Sequence, residues 1–183
     1  MQRRAAAALG VGLGALLALG LGVAVGVGLD PAAVTAQRRL LDPLAMVQSS
    51  DPLELARVVD RLGDEAVLAR LGPVGGEGAP ALPIVMAAVR ASPWLHAPEA
   101  ALPRLAELAG GRDPDLAPAA MLAVVRIAER LTRAELDGRE ASDAPITAAL
   151  PALAALAEDA TARNDLRRAA SRARALLQTL VEG

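Results

Sequence analysis

The chain has 183 residues, of which 54% are hydrophobic and only one, Trp94, is aromatic. All nineteen basic residues are arginine, cysteine is absent, and His96 is the single histidine. This composition excludes a disulfide frame, a thiol nucleophile, a zinc ribbon and any multi-histidine metal site. A Ser–His–Asp device would have to run through His96 alone. The net charge of −2 gives none of the overall basic excess that draws proteins onto nucleic acid, which argues against a nucleic-acid partner.

The first element is an apolar leader. Arg3 and Arg4 precede an uncharged run from Ala5 to Leu29 made of Ala, Gly, Leu and Val only, followed by Asp30-Pro31. At ~1.5 Å per residue a helix of this length can cross a ~30 Å hydrocarbon core. Two outcomes are open. The length of the run favours a retained membrane anchor over residues 5–29. Val34-Thr35-Ala36, however, has the small-residue pattern of a signal peptidase site with cleavage after Ala36, and seven glycines weaken the helix. Either way, residues 1–36 direct the chain to the cell envelope, with the remainder extracytoplasmic or, after cleavage, periplasmic or secreted. Gly10/Gly14 and Gly22/Gly26 match small-residue helix-packing spacing, a match that chance readily supplies in so glycine-rich a run.

Residues 37–51 read as a linker with a short helix, and 52–183 as one all-α domain. Alternating β-branched and aromatic runs are missing, while Ala, Leu, Arg and Glu dominate. Helix starts are marked by Asp42-Pro43, Asp51-Pro52, Ala79-Pro80, Ala97-Pro98, Asp113-Pro114 and Ala144-Pro145, since Asp caps free amides and Pro suits a first helical turn. The predicted helices run over 52–71, with a weak point at Gly63, then 80–91, 98–109, 114–131, 145–158 and 162–181. They form three pairs, at about 52–91, 98–131 and 145–181. The pairs start 46 and 47 residues apart, a period that indicates a solenoid of helical hairpins. The charged stretch 132–144 reads as an exposed insertion. Leu102, Leu105, Leu122, Ile127, Leu153, Leu156, Leu166 and Leu177 are the expected core.

Leu102-Pro103-Arg104-Leu105-Ala106-Glu107-Leu108-Ala109 and Leu150-Pro151-Ala152-Leu153-Ala154-Ala155-Leu156-Ala157 share their Leu, Pro and most Ala positions, and Leu82-Pro83 repeats the opening. Asp165, Arg168 and Ala169 follow the third copy. On these residues the chain resembles the HEAT repeat family, most closely over 98–181 and only loosely over 52–91. Pro118 departs from the pattern where the family has arginine. The resemblance implies a short right-handed α-solenoid of about three hairpins whose surface binds another protein.

Candidate chemistry is sparse. Trp94 and His96, in a proline-framed connector, form either an exposed contact or a plug in the seam with a solvated histidine. The latter is the plainer reading. Arg163, Arg167 and Arg174 share a helical face that could grip phosphate or an anionic lipid head, although a solvated outer face explains it more simply. The pairs Asp64/Glu65, Asp113/Asp115 and Glu158/Asp159 lie at helix ends, where capping and the helix dipole account for carboxylates. No catalytic, cofactor-binding or metal-binding set emerges. The expected function is a non-catalytic protein–protein scaffold with an unidentified protein partner. The alternatives are an enzyme-accessory module of the lyase-associated HEAT type and a structural subunit of a membrane assembly. N-terminal sequencing of the native protein tests the leader: an anchor leaves the start intact, whereas cleavage gives a start at Gln37.

Overall fold

The computed structural model describes residues 42–46, 51–72, 79–136 and 141–182. The expected leader, residues 37–41 and 47–50 of the linker, residues 73–78 and residues 137–140 lie outside the described residues. The described part is all-helical, with no strand and seven α-helices among the described residues. None of these helices is long and apolar enough to cross a membrane.

Local chemistry explains each start. Asp42 Oδ1 accepts the Leu44 amide at 2.9 Å at the entry to the 3₁₀ turn Pro43–Met46. Asp51 Oδ1 accepts the Leu53 amide at 3.0 Å, and Pro52 opens α1 (Pro52–Leu62). The single helix predicted over 52–71 is two. Gly63 adopts φ 80°, ends α1 and leads into α2 (Asp64–Arg70), a backbone conformation that only glycine takes without strain.

At Pro80, Pro98 and Pro114, where a second proline follows within five residues, the predicted starts slip toward the C-terminus. A proline ring clashes with the carbonyl four residues back and offers no amide. Pro83, Pro103 and Pro118 therefore bar continuous α-helix from Pro80, Pro98 and Pro114. Accordingly α3 is Leu82–Ala91, a 3₁₀ turn covers Pro98–Ala101 before α4 (Leu102–Ala109), and α5 begins at Leu116. Asp113 Oδ1 caps α5 through the Asp115 and Leu116 amides. At its far end α5 continues to Leu136, so part of the stretch expected as an exposed insertion is its last turn. Helix α6 (Asp143–Glu158) starts earlier than predicted, after Ser142, and carries Pro151 in its interior. The chain ends with α7 (Asn164–Glu182).

Packing centres on α5, which meets α3, α4 and α7, while α4 lies along α6 and α6 packs on α7. Alanines 87, 88, 101, 106, 120, 123, 128, 149, 170 and 173 are buried among the leucines. Side chains this small permit interaxial distances toward the lower end of the usual 8–10 Å. Of the expected core, Leu102, Leu105, Ile127, Leu153, Leu156 and Leu177 are buried, and Leu166 is half-buried against them. Leu122 is the exception at 52% exposed. At about 100° per residue it lies some 200° around α5 from the buried Ala120, on the side away from the core.

Arginines bridge one pair of helices to the next. Arg104 of α4 donates to the Leu71 and Gly72 carbonyls at 2.7 and 3.2 Å. Arg130 of α5 donates to the carbonyls of Pro93 and Leu95. Arg172 of α7 meets Glu129 of α5 at 2.7 Å.

Truncating Leu105 or Leu153 to alanine should cost about 3 kcal/mol, because close neighbours cannot collapse into the void. The exposed Leu122→Ala should stay within about 0.5 kcal/mol. Urea midpoints at constant m-value separate these outcomes.

Candidate functional site

The connector after α3 is built from the inside out. Ser92 is fully buried, and its Oγ donates to the Ala88 carbonyl at 2.8 Å. Ser92–Trp94 forms a 3₁₀ turn, Leu95 is fully buried, and the chain emerges at His96. Trp94 packs against the core, half-buried, with a buried indole Nε1 that has no hydrogen-bond partner among the described residues. The plug reading of Trp94 thus matches its place.

His96 is 71% exposed along its side chain but is not merely solvated. Its Nδ1 lies 3.0 Å from Asp64 Oδ1, and its backbone amide donates to the same oxygen at 3.2 Å. The Ala97 amide donates to Asp64 Oδ2 at 2.9 Å. Asp60 Oδ1 sits 3.6 Å from Nε2. Asp64 stands at the start of α2, where capping of its own helix was expected; its carboxylate instead receives amides from a connector 32 and 33 residues later. Partial burial pushes the Asp64 carboxyl up, but the amide of Ala97, the ring and amide of His96 and the His96 charge together outweigh it. The net pKa lies below the usual 3.8.

Beside this joint, His96, Pro98, Glu99, Arg130, Leu131, Ala134 and Ala141 line a cleft of about 100 Å³. Pockets that enclose substrates run to about 300–1,000 Å³. Its polar groups are already engaged: Arg130 on two carbonyls, His96 on Asp64, and Glu99 with the Ser142 amide at 3.5 Å. Among the described residues, no three His, Asp or Glu side chains converge as a metal site.

The arginine face of α7 is turned to internal use. Arg163 pairs with Asp165 at 2.6 Å, Arg167 Nε donates to the Ala157 carbonyl at 3.4 Å, and Arg174 approaches Glu158 at 3.9 Å. The Ala157 carbonyl and Glu158 belong to the C-terminal end of α6, whose unpaired carbonyls attract cations. The exposed pairs are worth little individually.

A second depression lies where sequence reasoning expected closed core. Leu55 of α1, Val89 and Arg90 of α3, Pro93, and Ala119, Leu122, Ala123 and Arg126 of α5 line a groove of about 120 Å³. Its floor is apolar, and its only charges are two arginines. Among the described residues neither Arg90 nor Arg126 has an ion-pair or hydrogen-bond partner. The signal available in the sequence was the i, i+4 pair Leu122/Arg126, which the otherwise uncharged run Leu116–Val125 obscured.

No family model, no curated protein and no solved structure matches the chain.

Asp64→Ala leaves two amides and the His96 ring without their acceptor and should cost about 1–2 kcal/mol. Because the folded pKa of Asp64 is depressed, its contribution is full above the unfolded carboxylate pKa of about 3.9 and vanishes as pH falls through the lower folded value. Urea midpoints of wild type and Asp64→Ala should therefore be separated at neutral pH, and the gap should begin to close only as pH falls below about 4.

Proposed function

We propose that the described residues form a short HEAT-like α-solenoid that acts as a non-catalytic scaffold for a protein partner at the cell envelope. The leader over residues 5–29 either anchors it or is removed after Ala36. The packing order supports the solenoid: α3, α5 and α7 form one row, α4 and α6 another, and each row member meets the next. In a linear array every unit contacts only its neighbours and leaves its outer row open to bind.

The observation that carries the binding function is the groove at Leu122. A large apolar side chain and two unpartnered guanidinium groups stand together on that outer row, whereas the polar groups of the His96 cleft serve joints within the fold. Exposed apolar surface rimmed by polar groups marks interaction sites, and arginine is enriched at such sites.

The test is affinity capture from the source organism's own envelope fraction with the full chain in mild detergent, followed by calorimetry with the purified candidate. The expected result is a saturable complex that His96→Ala leaves intact. A chemical turnover that His96→Ala abolishes, or no protein retained at any salt concentration, would overturn the scaffold reading.

A further inference from the structure

The chemistry of the groove narrows what it can hold. At about 120 Å³ it is smaller than the ~150 Å³ cavity that admits a benzene ring and well below the size of a ligand pocket. One aliphatic side chain fits; a cofactor does not. The lining supplies no acidic group and two cations, Arg90 and Arg126, that have no side-chain partner among the described residues.

The same charge extends along the outer row. At about 100° per residue, Leu122, Arg126, Glu129 and Arg133 share the face of α5 that points away from the core. On α7, Arg168 and Arg172 lie opposite the buried Ala170, Ala173 and Leu177 by the same geometry. The Arg172–Glu129 pair joins the faces of α5 and α7, as the groove joins those of α3 and α5. Glu129 is matched by Arg172, so Arg90, Arg126, Arg133 and Arg168 remain without a partner among the described residues. A chain of net charge −2 thus presents a face that is locally positive.

We propose that this groove receives one apolar side chain borne on an acidic segment of the partner protein, with Arg90 and Arg126 pairing the flanking carboxylates. The proposal rests on the scaffold reading and adds the chemistry of the bound segment. Planar guanidinium groups donate two parallel hydrogen bonds to a carboxylate, and the buried apolar side chain supplies the anchor. A nucleic acid fits less well, because the only aromatic residue, Trp94, packs against the core and leaves nothing for bases to stack on. A membrane surface fits less well too. Leu122 is a single exposed side chain in a recess, whereas surface binding to lipid needs an extended apolar face.

The experiment selects a random twelve-residue peptide display library on the full chain in mild detergent, then measures the selected peptides by fluorescence anisotropy. The expected consensus is one Leu, Ile or Met flanked by Asp or Glu. Binding should weaken at least about tenfold in Leu122→Glu and in Arg126→Glu, and should fall as salt rises. Leu122 is exposed, so these variants keep the core, and unchanged urea midpoints verify it.

Peptides that bind wild type and both variants equally overturn the groove while leaving the scaffold reading standing. A selection that yields no binder at all counts against both readings. Binding of a dT20 oligonucleotide or of vesicles containing 30% phosphatidylglycerol, lost in Arg126→Glu while peptides fail, replaces the protein partner with that class. Oligomers of the full chain that dissociate in Leu122→Glu make the occupant a second copy and likewise overturn the proposal.

Discussion

Close approach of helices through alanine is the constraint on which this architecture rests. With Trp94 the one aromatic residue in the chain, rings cannot fill the gaps between most helices. Stability has to come from leucine and alanine surfaces in near contact. Helix α5 shows what that demands. Its uncharged first half places Ala120, Ala123 and Val124 against neighbours on several sides and meets α3, α4 and α7. Enlarging any of these alanines forces helices apart, because close-packed interiors tolerate added methylenes poorly. The same economy leaves no spare apolar bulk to roof Leu122, so the groove is a by-product of a core built from small residues.

The helical class and most of the interior were legible in the sequence because both depend on short-range pattern. Asp-Pro steps at 42–43 and 51–52 mark their turns correctly, since a capping carboxylate and a proline act within one turn. The starts at Pro80, Pro98 and Pro114 slipped because the second proline that prevents α-helix lies three to five residues downstream. Once Pro83, Pro103 and Pro118 are weighed with their carbonyl clash, the slip follows from the sequence too. The extension of α5 to Leu136 was hidden by the charge density of 132–144, yet Arg133 is exposed on a helix whose inner side is Ile127, Ala128 and Leu131.

The candidate site was much less legible. Whole-chain charge is nearly balanced, and only folding separates Arg90, Arg126 and Arg133 from the carboxylates that cancel them in the sum. Leu122 sits in a run without charge, so its neighbours suggested burial; the helical angle alone says otherwise. In the His96 joint, Asp64 and His96 are 32 residues apart, and no local rule pairs them. The arginine face read in sequence as a solvated outer face makes contacts within the fold, Arg163 with Asp165 and Arg167 and Arg174 with the end of α6.

The guanidinium bridges at Arg104 and Arg130 make the joints between helix pairs chemically unlike the pairs themselves. Within a pair the helices hold through apolar area, which is non-directional and tolerates sliding. Between residues 52–95 and α4–α5 each of these two guanidinium groups holds two backbone carbonyls at once, which resists rotation. A lysine there would present its charge at a single point on a flexible stem, and the joint would turn freely. Arginine at these two positions therefore ties four backbone carbonyls, of residues 71, 72, 93 and 95, to two side chains.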